Sequence, residues 1–76
     1  MNAKQIAAIA INEALVGLSN GDSLEVLAGC VIATTASGAE ELDSHLRVPF
    51  VQVGIEYVGI LMDKQLEMIA PLLLSR

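Results

Sequence analysis

Between Pro49 and Ser75 the polar side chains fall on one narrow helical stripe, and almost everything else on the segment is apolar. At about 100° per residue, Gln52, Glu56, Asp63 and Glu67 lie within about 60° of one another, with Gly59 and Ala70 beside them. The remaining arc of about 240° carries Phe50, Val51, Val53, Ile55, Tyr57, Val58, Ile60, Leu61, Met62, Leu66, Met68 and Ile69, and only Gly54, Lys64 and Gln65 interrupt it. A surface helix needs an apolar stripe of only about 100°. A helix this greasy wants neighbours on several sides, and a chain of 76 residues has few to offer.

A strand is the competing reading of the start of that segment. Val51, Val53, Ile55 and Tyr57 alternate with Gln52, Gly54 and Glu56, and β-branched residues are frequent. Continuation decides for helix: the four-residue step from Gln52 to Glu56 runs on near Gly59, Asp63 and Glu67, which a period of two does not produce. Gly54 and Gly59 each cost a helix up to about 1 kcal/mol relative to Ala, a cost that close backbone packing can offset. Pro71 denies a hydrogen bond to the carbonyl of Glu67, so a kink is expected there.

Composition agrees with helices. Hydrophobic residues make up 54% of the chain, yet only Phe50 and Tyr57 are aromatic, so Ala, Ile, Leu and Val supply the apolar mass. Ala3–Leu18 reads as an amphipathic helix with Ile6, Ala7, Ala10, Ile11, Ala14, Leu15 and Leu18 on one arc, while Ile9 and Val16 lie on the more polar side. Ser19-Asn20-Gly21-Asp22 reads as a turn, with Gly21 free for positive φ and Asp22, three before Glu25, placed to cap the next helix. That helix is expected over 22–36, with Leu24, Leu27, Ala28, Val31 and Ile32 on one face and Gly38 as its stop. Residues 38–47 read as a polar connector, and Pro49 suits the first turn of the third helix, over 49–75.

The fold class expected is therefore all-α, a single helical domain over 1–76 with two short amphipathic helices and one long C-terminal helix. Assembly follows from magnitudes. A 27-residue helix would be about 40 Å long, against a diameter near 30 Å for a compact chain of this size. Two short helices cover about half of its apolar arc, leaving side chains that cost roughly 1.5–3 kcal/mol each to expose. A helical-bundle homo-oligomer, with a two-fold dimer as the commonest form, hides them. The expected interface is Phe50, Val53, Tyr57, Ile60, Leu61 and Met68.

The chemistry is sparse. Nine carboxylates against four basic residues give a net charge of −5, and no run of Lys or Arg exists to neutralise phosphates, so nucleic acid is not an expected partner. No uncharged stretch reaches the 18 or so residues of a membrane helix, and neither a secretory leader nor paired cysteines are present, so no membrane partner and a cytoplasmic location are expected. There is no HExxH, no phosphate-cradling glycine loop and no GxSxG elbow. His45, with Glu41, Asp43 and Arg47 near it, reads as a solvated histidine; Glu41 and His45 make too few ligands for a metal. Cys30 reads as a small buried hydrophobe.

No catalytic residue, metal or cofactor is therefore expected. The sequence predicts a non-catalytic, self-associating protein that acts through protein–protein interaction with an unknown partner, in the manner of a small regulator or inhibitor from a mobile element. The alternative is a protein that binds or sequesters an anionic or nucleotide-like ligand between subunits, using His45, Arg47 and Tyr57. Arg47-Val48 followed by Val53-Gly54-Ile55-Glu56 loosely resembles a stretch of the small gas-vesicle shell protein family. The match is confined to residues 47–56, needs an insertion at Pro49-Phe50 and lacks the family's charge pattern elsewhere, so no assignment follows from it.

Overall fold

A computed structural model, which describes residues 1–75, folds into three helices: α1 (Ala3–Ala14), α2 (Asn20–Ala39) and α3 (Ser44–Leu74). Among the described residues there is no strand, and the alternating stretch from Val51 to Tyr57 is helical throughout. The all-α expectation holds; several boundaries move.

The first helix starts on a reciprocal cap that the sequence reading overlooked. Asn2 Oδ1 accepts from the Gln5 backbone N–H at 2.9 Å, while Gln5 Oε1 accepts from the Asn2 N–H at 2.9 Å. It ends at Ala14, four residues sooner than expected, because the chain turns at Gly17, whose φ of 91° lies in the left-handed region. Gly17, not Gly21, supplies the positive φ. Asp22 is not the cap of α2 either: Ser19 is, its Oγ accepting from the Asp22 N–H at 3.1 Å, and Asp22 sits in the first turn, where a carboxylate suits the positive end of the helix dipole.

At its other end α2 runs through Gly38 to Ala39, and α3 begins at Ser44, so the connector expected over 38–47 shrinks to residues 40–43. Arg47 explains how so short a link holds. Its Nε donates to the Leu42 carbonyl at 3.0 Å and its Nη2 to the Glu40 carbonyl at 3.4 Å, so one side chain in the second turn of α3 ties down the end of α2 and the turn. Pro49 consequently lies inside α3, where it withholds a donor from the His45 carbonyl, rather than in its first turn. The helix also continues through Pro71 to Leu74, and the Ser75 N–H donates to the Pro71 carbonyl at 3.1 Å.

The two long helices form an antiparallel hairpin. Gly38 faces the Phe50 ring, and a Cβ built on it would lie 3.3 Å from Phe50 Cε1; three residues back along α2, Thr35 faces Gly54. A Cβ at Gly54 would come within 2.5 Å of Thr35 Cγ2. Small residues thus stand opposite large or branched ones, which brings the backbones together. Thr35 is fixed by its own helix, its Oγ1 donating to the Val31 carbonyl at 2.9 Å. Ala39, at the closed end of the hairpin, is 2% exposed and is the one buried hydrophobe among the described residues. By contrast α1 makes no close backbone approach to either long helix.

Candidate functional site

The molecule's candidate site is its exposed apolar surface. On one side of the hairpin Leu24, Leu27, Ala28, Val31 and Ile32 of α2 and Ile55, Val58 and Met62 of α3 line an open groove of about 380 Å³. Every lining residue is apolar. A shallower recess of about 300 Å³ lies among Leu27, Cys30, Val31, Thr34, Thr35 and Val58, with Ile11 of α1 on its rim. Cys30 is exposed rather than buried.

Heptad spacing organises the α3 wall of the groove. Val48, Val51, Ile55, Val58, Met62, Gln65, Ile69 and Leu72 recur at alternating steps of three and four, the repeat of a helix–helix seam. Gln65 is its one polar member. This row lies about 80° around α3 from the Phe50–Gly54 line that meets α2. It overlaps the hairpin seam at Val51 and Val58 and flanks it at Val48, Ile55, Met62 and Ile69. Val51 and Val58 are half-buried, whereas Val48, Ile55, Met62, Ile69 and Leu72 are exposed. The sequence reading passed over this row, and its three-four spacing was the signal that would have found it.

The expected interface lies on the other flank of α3. Phe50 and Leu61 sit at the edge of the hairpin seam, Phe50 directly against Gly38. Val53, Tyr57, Ile60 and Met68 are all more than half exposed; Val53 and Ile60 turn away from the seam, whereas Met68, five turns along from Phe50, shares its azimuth. Opposite the hairpin, Gln52, Glu56, Asp63 and Glu67 are exposed as a polar stripe.

The ligand-site residues do not converge. His45 and Arg47 occupy the start of α3, while Tyr57, at ten residues from Arg47, stands about 15 Å further along the axis. Arg47 is engaged with two main-chain carbonyls. Among the described residues no three His, Cys, Asp or Glu side chains gather into a group able to hold a metal, and no helix is long and apolar enough to cross a membrane. The fold and surface together define an all-α protein built on a helical hairpin with unshielded apolar flanks. No protein-family model matches the chain, and neither does any curated protein or solved structure.

Proposed function

We propose that this is a non-catalytic interaction protein that works as a homo-oligomer, presenting the surface left over after self-assembly to another protein in the manner of a small regulator or inhibitor. The observation that carries this reading is an excess of surface. The chain exposes 6517 Å², whereas a folded monomer of 8.0 kDa exposes about 4,500 Å². The difference of about 2,000 Å² per chain exceeds the roughly 800 Å² that each partner hides in a standard interface, and falls in the range of obligate homodimers.

Shape supports the same reading. The radius of gyration is 15.2 Å, against about 11 Å for a compact chain of this length, and the longest dimension is 49 Å. Side chains such as Leu24, Ile32, Ile55 and Met62 stay open to water, and covering each would stabilise an assembled state by up to roughly 1.5–3 kcal/mol. That gain offsets the estimated cost of association, about 4–15 kcal/mol. The apolar lining of the groove favours a protein surface over an anion as its occupant.

Light scattering and sedimentation equilibrium on the full chain at micromolar concentration test the proposal. A particle mass at a whole multiple of 8.0 kDa is the expected result. A helical monomer that persists through that range overturns it.

A further inference from the structure

The apolar surface has two flanks, and they are not equivalent as seams. On the outer flank the row Val53, Tyr57, Ile60 meets Lys64 and then Glu67, so charge stops it after two turns. On the groove flank the row from Val48 to Leu72 contains no charged residue across 25 positions, which is about 36 Å of helix. Beside it α2 contributes Leu24, Ala28 and Ile32, so the groove flank offers two parallel ridges with a trough between them.

We propose that the groove flank is the self-association seam, occupied by the groove flank of a second copy, so that two α2–α3 hairpins form a four-helix bundle. This rests on the self-associating reading above and adds which face does it. A second copy fits because the surface is self-complementary in the sense a two-fold interface requires: each hairpin brings a ridge and receives one. The area suffices as well. The excess of about 2,000 Å² over the whole chain exceeds the roughly 800 Å² that each partner hides in a standard interface, so a two-fold contact on this flank leaves surface to spare. The outer flank, with Tyr57 and Ile60, then remains on the outside of the assembly for a different protein.

Paired variants read this out. In the full chain, Met62→Glu places a carboxylate on the groove flank and Ile60→Glu places one on the outer flank, and circular dichroism follows helix content in both. Sedimentation of Met62→Glu is expected to show at least a tenfold weaker assembly, with Ile60→Glu within about threefold of the parent. Assembly that survives Met62→Glu, or that is lost in Ile60→Glu instead, overturns the proposal.

Cross-linking covers the case in which Met62→Glu fails to fold. In a Cys30→Ala background, Met62→Cys treated in its reduced form with a short bismaleimide, which forms one thioether on each thiol, is expected to give covalent dimers, and Ile60→Cys is not. The reverse pattern, or dimers from neither variant of an assembled protein, overturns the proposed seam. A monomeric parent chain is a different result: it removes the self-associating reading itself.

Discussion

At the scale of single residues, Gly54 and Gly59 show how one residue type can be placed for different reasons. Both looked equally costly in the sequence, and close packing was the expected reason for both. The structure separates them: Gly54 lies under Thr35, while a Cβ on Gly59 would meet nothing within 4 Å. Thr35 is held by its hydrogen bond to the Val31 carbonyl, so it yields only by losing that bond or by moving α2 outward. Gly54→Ala is therefore expected to destabilise the fold by about 1–3 kcal/mol, overpacking outweighing the better helix propensity. Gly59→Ala should stabilise it by about 0.5–1 kcal/mol. Urea unfolding of the two variants beside the parent reads both signs. Periodicity carried the information that glycines sit within α3, but not which of them α2 crosses, since that depends on the register of one helix against the other.

At the scale of elements, the type of each helix was legible and its ends were not. The alternation at Val51–Tyr57 was correctly outweighed by the longer four-residue step, because a 31-residue helix offers many repeats of the pattern and a strand offers few. Ends depend on one or two hydrogen bonds. Ser19 and Asp22 are both plausible caps by composition, and the structure gives the cap to Ser19. Ser19→Ala should cost about 1 kcal/mol, whereas Asp22→Ala, which loses only a favourable charge in the first turn, should cost about 0.3–1 kcal/mol. Thermal melts followed by circular dichroism rank the pair; a larger loss at Asp22 would return the cap to it. Pro49 misled for a related reason. Its preference for a first turn is real, but α3 starts back at Ser44, where Arg47 bonds to the carbonyls of Leu42 in the link and Glu40 at the cap of α2, and this anchoring outweighs local preference.

At the scale of the molecule, the breadth of the apolar arc was legible as a shortage of cover, and the exposed surface and elongated shape of the chain agree with it. Which flank matters was hidden, because the position of α2 around α3 decides what is left open. A chain whose folded form is completed by association melts at a temperature that rises with concentration. For this protein the midpoint is expected to climb by several degrees between 1 and 100 μM, with weak dependence on salt because the proposed seam carries no charge. A midpoint that does not move over that range would contradict the association.

The left-handed turn at Gly17 has a consequence for all of this. It leaves α1 tied to the hairpin by a leash of five residues, with no close backbone contact and with Ile11 at the rim of a recess. A segment on so short a leash faces its own hairpin at an effective concentration of about millimolar. Ile11 reaches the recess but does not line the groove, so the amino-terminal helix, though held close by, leaves Leu24, Ile32, Ile55 and Met62 open to water.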